Sequence, residues 1–208
     1  MKILILGATG PTGQQLLKQA LEQHQQVTAL VRNSAKLSTS HQKLTIIKGD
    51  ALDKNIVLKA LAGQDAVISA LGKGQSLISS NLITNAVKVL IPAMNEMQIK
   101  RLIFLSGFGA GETFGQANLL QKIIFKTFLN SIYRDKAKAE IQLRSSNLDW
   151  TLVYPAKLNN KPATGNYKVG ERLTMKGTPE ISRADVAHFM LTQLSSDIYL
   201  KKGVVLMD

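Results

Sequence analysis

The feature of this 208-residue sequence that most limits its fold is a glycine-rich turn near its beginning. The run GATGPTG, Gly7 to Gly13, follows the apolar segment KILIL and precedes a segment with helical periodicity. Glycines at this spacing allow a tight turn, a close approach of the backbone to a pyrophosphate, and close packing of a helix on a strand. A strand–turn–helix of this kind predicts a dinucleotide site, the alternative being a turn with only a structural role.

The helix after the turn would offer unpaired N–H groups and the positive end of its dipole to phosphate. Pro11 suits the first turn of that helix because its missing N–H costs nothing there. From this turn we expect the cofactor contacts Gly7, Thr9, Gly10, Pro11, Thr12 and Gly13.

Apolar, β-prone runs alternate with helical patterns along the chain, with no repeat, low-complexity stretch or Pro/Gly-rich linker. The predicted strands are residues 2–6, 27–31, 44–48, 66–69, 101–106 and 150–154, with 204–207 as an added edge strand. The predicted helices are residues 12–24, 54–61, 81–97, 133–146 and 183–194. This pattern predicts an α/β fold: one doubly wound, mostly parallel Rossmann sheet of six or seven strands with helices on both faces. We expect a single domain over residues 1–208, with an excursion at residues 158–179 on the substrate side.

Composition excludes several classes of protein. A hydrophobic share of 45% suits a globular core, and no apolar run reaches the roughly 18–20 residues of a membrane span. The N-terminus has no small-residue cleavage site, so it predicts a buried strand and not a signal peptide. The absence of cysteine excludes disulfides, thiolate metal sites and cysteine nucleophiles. The three histidines show no metal-ligand spacing, so we expect no metal site and a cytoplasmic location.

The formal net charge of +12 has more than one interpretation. A nucleic-acid partner is one, but the basic residues are spread along the chain and aromatic content is only 5%. A diffuse, solubilising basic surface is favoured over a polyanionic partner or attraction to a membrane surface. We therefore expect no specific nucleic acid partner.

The end of the second predicted strand indicates which dinucleotide binds. An NAD-selective site usually carries an acidic residue about 20 residues past the glycines, for the ribose 2′-hydroxyl. This sequence has Arg32 there, with Lys36 one helical turn beyond. A guanidinium pairs with the extra phosphate of NADP and stacks on adenine, which predicts NADP(H) as the cofactor, although Arg32 as an ordinary surface residue is the alternative.

A second polar position follows the third predicted strand. There the Asp50 carboxylate, with Ala51 beside it, is placed to accept a hydrogen bond from the adenine amino group. The alternative for Asp50 is a cap on the following helix.

Taken in order, the motifs GATGPTG, VRN, GDALD, QDAVISALG, RLIFLSGFG and LDWTLVYPAKL resemble the atypical short-chain dehydrogenase/reductase family and cover most of the chain. The likeness is strongest to its flavin reductase (biliverdin IXβ reductase) branch, with NmrA-like redox-sensor proteins as neighbours. The resemblance implies that Ser106 is the active-site serine. It also implies cofactor contacts at Ala70, Leu71, Gly72, Ser106, Lys136, Pro155, Ala156 and Lys157.

The sequence departs from typical members of that family in one helix. They place a tyrosine four residues ahead of a lysine, but Ile132 stands four residues before Lys136 and Tyr133 only three before it. One residue turns a helical side chain by roughly 100°, so a carbonyl-reducing dyad is not expected, although Tyr133 and Lys136 can still be neighbours. We retain Ser106, Lys136 and Tyr133 as the candidate catalytic residues, with a solvated helix face as the alternative for the last two.

These observations predict an NADPH-dependent reductase of small planar acceptors of the flavin or quinone class. Such acceptors delocalise the electrons of the hydride, and water supplies the proton. The competing interpretation is a non-catalytic NADP(H)-binding sensor of the NmrA-like type. A sugar-nucleotide epimerase is a third, for which the short C-terminal region leaves little room. A monomer or a homodimer is expected.

An amphipathic stretch at residues 119–133 is not explained by the cofactor. Its apolar side chains share one stripe, which predicts a helix docked on the core or covering the pocket, with a membrane-surface or dimer contact as the alternatives. The stripe consists of Leu119, Leu120, Ile123, Ile124, Phe128, Leu129 and Ile132.

Overall fold

The computed structural model describes residues 1–72, 81–117, 122–123, 127, 130–174 and 177–208. Strands and helices alternate along these residues. The strands are β1 Lys2–Leu6, β2 Gln26–Val31, β3 Leu44–Lys48, β4 Ala66–Ser69, β5 Arg101–Leu105, β6 Asp149–Pro155, β7 Lys157–Asn159, β8 Lys168–Gly170, β9 Glu180–Ser182 and β10 Lys202–Met207. The α-helices are α1 Pro11–Glu22, α2 Lys54–Leu61, α3 Leu82–Glu96, α4 Asn130–Arg144 and α5 Arg183–Thr192.

Within the described ranges, the main sheet has eight strands in the order β3-β2-β1-β4-β5-β6-β10-β8. All neighbours from β3 to β10 are parallel, and only β8 runs antiparallel to its neighbour β10. Leu6 at the end of β1 pairs with Leu30 of β2 and Ser69 of β4, and Ser69 pairs with Phe104 of β5. The central strands therefore end level with one another, so the residues that follow them meet at one edge of the sheet.

Helices cover both faces of the sheet, as the apolar strands require. α1 packs against α5 on one face, while α3 packs against α2 and α4 on the other. Successive residues of β1 feed the two layers alternately, with Ile3 and Ile5 in the first core and Leu4 and Leu6 in the second. The predicted doubly wound Rossmann fold is confirmed.

The sheet differs from the prediction at its far edge. Residues 204–207 were expected to form an edge strand, but β10 lies between β6 and β8. β8 falls inside the predicted excursion and brings the main sheet to eight strands instead of six or seven. Its three residues are too few to show a periodicity, and only their pairing with β10 makes them a strand.

Strands at the two ends of the excursion form a small second sheet, in which β7 pairs in parallel with β9. β7 follows directly after β6, so this sheet lies at the carboxyl edge of the main sheet. The loop between β7 and β8 is held to α5 by the buried Asp185, whose carboxylate accepts hydrogen bonds from the backbone N–H groups of Thr164 and Gly165, both at 2.8 Å.

Across the described ranges, no helix has the length and apolar character needed to cross a membrane. Most of the predicted amphipathic stripe lies outside those ranges. Of its members that are described, Ile123 is 52% exposed and Ile132 is half-buried.

Candidate functional site

The glycine turn joins β1 to α1 under tight packing. Gly7 has a φ of +81°, and a Cβ added there would lie 2.5 Å from the carbonyl oxygen of Ala70, which follows β4. A Cβ on Gly13 would collide with the carbonyl oxygen of Gly7. These two glycines are therefore required by the packing of the protein itself.

Gly10 is different. Its φ of −78° is open to any residue, and an added Cβ would meet only the carbonyl oxygen of Gly7, at an ordinary 3.4 Å. The part of the chain that the structure describes thus leaves the space in front of Gly10 open, as a close approach of a pyrophosphate to the backbone requires.

Unpaired N–H groups face the same space. Gly10 begins α1 as its N-cap, no side chain caps the helix, and no acidic residue lies in its first turn. Pro11 has no N–H, and the N–H groups of Thr12 and Gly13 belong to a first turn that has no intrahelical acceptors for them. This end of α1 therefore fits a bound phosphate group.

Arg32 and Lys36 lie beyond β2, the strand next to β1. Both side chains are exposed. Asn33 shapes the backbone between them, because its side chain accepts a hydrogen bond from the N–H of Ala35 at 3.0 Å and begins a short 3₁₀ turn, Ser34–Lys36. Two cations thus lie after β2, one strand away from the glycine turn.

Asp50 does not cap α2. Its carboxylate accepts from the N–H of Leu52 at 3.1 Å, whereas Asp53 is the N-cap and accepts from the N–H groups of Asn55 and Ile56. The capping alternative for Asp50 is therefore wrong, and its carboxylate stays half-buried at the end of β3, beside Ala51.

The backbone after β4 lies directly against the glycine turn. The N–H of Ala70 donates to the carbonyl oxygen of Leu6 at 2.9 Å, and the Cβ position of Gly7 faces Ala70 and Leu71. Ala70 and Leu71 are half-buried and Gly72 is exposed. These three residues therefore border the space along which a dinucleotide bound at α1 would extend.

Ser106 follows β5 and is only 2% exposed. Its hydroxyl hydrogen-bonds one carboxylate oxygen of Glu140, and the phenol of Tyr154 donates to the other at 2.8 Å. Glu140 is itself buried, and this burial raises the pKa of its carboxyl group. The hydrogen bonds from Ser106 and Tyr154 and the charges of Lys136 and Arg144 lower the pKa, but by less.

Lys136 and Tyr133 meet beside Gly107. The Lys136 ammonium donates to the backbone carbonyl of Ser106 at 2.6 Å. A Cβ placed on Gly107 would lie 3.5 Å from Lys136 Nζ and 3.9 Å from Tyr133 Oη. Both side chains therefore border Gly107, although Tyr133 stands only three residues before Lys136.

Burial sets the protonation of this pair. It lowers the pKa of Lys136 to about 8, against the raising effect of Glu140 and Asp135. It raises the pKa of Tyr133 to about 12. Near neutral pH the tyrosine is thus a neutral hydrogen-bond donor beside a largely charged ammonium.

Pro155, Ala156 and Lys157 lie at the same edge, where β6 ends and β7 begins. The carbonyl of Pro155 accepts from the N–H of Phe108 at 3.1 Å, which ties this segment to the one after Ser106. Pro155 and Ala156 are buried. The Lys157 ammonium instead pairs with Glu180 at 2.7 Å, so its charge is directed along the small β7–β9 sheet.

Three polar residues around this edge were not singled out as functional in the sequence. Glu140 and Tyr154 are the partners of Ser106 described above, and Asp135 accepts from the N–H groups of Ile83 and Thr84 at the start of α3. Their burial results from the packing of α4 against the sheet, which the local sequence pattern does not indicate. Their positions in the sequence could have indicated them. Asp135 and Glu140 lie on the same helix as Lys136, and Tyr154 directly precedes Pro155 on β6.

Comparisons with known proteins agree with this geometry. A family model described as NAD(P)H-binding matches residues 7–197. The uncharacterized protein YwnB of Bacillus subtilis (strain 168) is 27% identical over 202 residues, covering 93% of this chain and 92% of that protein.

Solved structures share the fold over the whole chain. ChuY, described as an anaerobillin reductase from Escherichia coli O157:H7, superposes with a TM-score of 0.83 at 24% identity, covering 100% of this chain and 97% of that one. A short-chain dehydrogenase/reductase from Veillonella parvula DSM 2008, solved in complex with NADP, has a TM-score of 0.84 at 21% identity, with 100% and 94% covered.

The family match extends over nearly all of the elements that build the site, from the glycine turn to the end of α5. The dinucleotide cofactor expected from the glycine turn agrees with this match, whose description is NAD(P)H-binding. This chain belongs to the NAD(P)H-binding family.

Proposed function

We propose that this protein is an NADPH-dependent reductase that delivers a hydride to a small planar acceptor of the flavin or quinone class. The observation that supports the proposal is the placement of Ser106 and Lys136 at the same sheet edge as the glycine turn, where the Lys136 ammonium donates to the backbone carbonyl of Ser106 at 2.6 Å. β4 alone separates β1 from β5. At about 4.8 Å per strand, the turn and Gly107 lie roughly 10 Å apart across the sheet, so one extended dinucleotide can reach from one to the other.

Each part of the site has a task in binding the cofactor. The N–H groups at the start of α1 hold the pyrophosphate, and Arg32 and Lys36 pair with the phosphate on the adenosine ribose. Asp50 accepts from the adenine amino group. The segments 70–72 and 155–157 border the nicotinamide end, where bound NADPH supplies the hydride.

The acceptor class follows from the donors at that end. Tyr133 stands three residues before Lys136, so it approaches the nicotinamide from a different direction than a tyrosine four residues ahead would. Acceptors that delocalise the added charge need less help from a positioned acid than simple aldehydes or ketones do. Flavins and quinones are therefore favoured over carbonyl compounds.

Anaerobic NADPH oxidation, followed by its absorbance across a panel of acceptors, tests the proposal once binding has been confirmed by calorimetry. We expect turnover with FMN, riboflavin or a small quinone and poor turnover with aldehydes. Ser106→Ala should reduce the rate, while Tyr133→Phe should change it little, with Tyr199→Phe as the matched control. Tight NADPH binding without reduction of any acceptor would refute the reductase function and favour a non-catalytic NADP(H) sensor. Aldehydes as the best substrates, with activity lost in Tyr133→Phe, would make the tyrosine catalytic and refute the argument from helix spacing.

We also propose that the protein is cytoplasmic and is a monomer or a homodimer. Size-exclusion chromatography with light scattering would measure the oligomeric state directly.

A further inference from the structure

A line of hydrogen-bonded side chains runs through the protein behind the proposed acceptor site. It leads from Arg144 at the end of α4 to Tyr154 on β6, then to Glu140, and ends at Ser106. Ser106, Glu140 and Tyr154 are each no more than 2% exposed. The binding of the cofactor, as described above, uses neither Glu140 nor Tyr154.

The direction of these hydrogen bonds follows from what each group can donate. A guanidinium has no acceptor, so Arg144 must donate to the Tyr154 oxygen, which lies 3.3 Å away. Tyr154 therefore directs its only proton to Glu140. The remaining contact, between Glu140 and Ser106, joins a carboxyl group and a hydroxyl, so a proton can reside on either partner.

The surroundings of Glu140 let it hold a proton and also release it. Burial favours its neutral form and raises its pKa. The ionised form has compensating partners, because Lys136 and Arg144 on its own helix are cationic and Tyr154 donates to it from β6. Glu112 lies in the turn Gly111–Gln116 and forms an ion pair with Arg144. Its charge therefore acts on the Glu140 carboxyl through the Arg144 guanidinium.

We propose that Glu140 is the proton source of the reaction and acts through Ser106. This inference rests on the reductase function proposed above. As the acceptor takes up a hydride from NADPH, it becomes an anion. The anion takes the Ser106 hydroxyl proton, and Ser106 takes the proton of Glu140 in the same movement. The products are the reduced, neutral acceptor, NADP⁺, an intact serine and a Glu140 carboxylate, which is reprotonated from water after the product leaves.

This route accounts for the displaced tyrosine. An acceptor protonated through Ser106 does not need Tyr133 as an acid, so a helix with Tyr133 three residues before Lys136 still serves a reductase. Lys136 then has an electrostatic task, since its charge stabilises the carboxylate that remains on Glu140.

The first test is Glu140→Gln, which keeps the shape of the side chain but has no acidic proton. We expect the rate of FMN reduction to fall by up to about 10²-fold, the low end of general acid catalysis because a flavin delocalises the added charge, with NADPH affinity unchanged. The matched control is Glu171→Gln, an exposed glutamate that is ion-paired with Lys202, which should keep the wild-type rate. A Glu140→Gln protein that is folded and reduces FMN at the wild-type rate overturns the relay and leaves the reductase function standing.

The second test is the pH dependence of the rate. A proton donor must be protonated to act, so the rate should fall as the pH rises through the pKa of Glu140. Tyr154→Phe removes a hydrogen bond that stabilises the carboxylate, so this alkaline limb should move to higher pH. A purely structural Glu140 would leave the limb where it is, because the titration of Lys136 is then its only cause.

The third test needs neither an acceptor nor turnover. In protein labelled with ¹³C at the glutamate carboxyl carbons, Glu140 is assigned by its absence from Glu140→Gln. Its resonance should titrate at higher pH than those of the exposed glutamates, and higher still in Tyr154→Phe. Titration together with the exposed glutamates overturns the relay. A wild-type protein that shows the raised titration and binds NADPH but reduces no acceptor refutes the reductase function instead.

Discussion

A substitution at Gly10 tests most directly whether the glycine turn holds the phosphates of a dinucleotide, because the fold itself does not require glycine at this position. We predict that Gly10→Val abolishes dinucleotide binding and leaves the protein folded. Its φ of −78° suits valine, and the new Cβ meets only the carbonyl oxygen of Gly7, at 3.4 Å. The free energy of unfolding should therefore change by no more than about 1 kcal/mol, since the loss of a favourable N-cap and the gain from a stiffer unfolded chain oppose each other.

The effect on binding is much larger. A valine in front of the α1 N-terminus keeps a pyrophosphate from the N–H groups of Thr12 and Gly13. Each charge-assisted hydrogen bond is worth about 1.5–3 kcal/mol. Losing both costs about 3–6 kcal/mol, or about 10²- to 10⁴-fold in affinity.

Calorimetric titration with NADPH and thermal unfolding together measure both quantities. Gly115→Val is the matched control, because Gly115 also has open space around its Cβ position but lies outside the dinucleotide site. Gly7→Ala provides the contrast, since its φ of +81° and the nearby Ala70 carbonyl should destabilise the fold itself. Wild-type NADPH affinity in a folded Gly10→Val protein would show that the turn does not hold the cofactor.

Two further predictions concern charge. Arg32→Ala should weaken NADP binding about tenfold to a hundredfold, the cost of one charge-assisted pair, and leave NAD binding unchanged. Calorimetry with both dinucleotides measures the two affinities, with Lys59→Ala as the control. Equal affinity of the wild type for NADP and NAD would refute the prediction. Burial opposes ionisation of Asp185, but hydrogen bonds from Ser182, Gly165 and Thr164 outweigh it and lower its pKa. Its contribution to stability is thus present above the pKa of an unfolded aspartate and lost as the pH falls through the lowered value. Melting curves should therefore show Asp185→Asn destabilised at pH 7, with the difference from wild type shrinking in acid. A difference of the same size at every pH would contradict this account of Asp185.

Much of the fold was predictable because the patterns that specify it are local. The apolar β1 segment, the glycines and Pro11 lie within 13 residues, and the chemistry of each indicates its conformation without reference to the rest of the chain. Arg32 was placed near the adenosine by its distance from the glycines alone. Strand and helix bounds differ from the predicted ones by a few residues, as at α4, predicted from residue 133 and observed from Asn130.

The short strands were not predictable in this way. β8 has three residues, and only pairing with β10 stabilises it, so its existence depends on a partner more than 30 residues away in sequence. That pairing also moves β10 from the edge of the sheet to its interior.

The roles of the buried polar side chains were decided by tertiary structure alone. Ser106 and Glu140 are 34 residues apart, and nothing near either of them in sequence indicates that they meet. They do so because α4 packs over the carboxyl edge of the sheet, where burial makes a hydrogen bond to the carboxylate necessary. The sequence by itself determined a Rossmann sheet with a glycine turn between its first strand and first helix, since both depend on local spacing and hydrophobic pattern. Only the tertiary structure decided which partners the acidic and hydroxyl groups have, because that depends on long-range packing and on the removal of water.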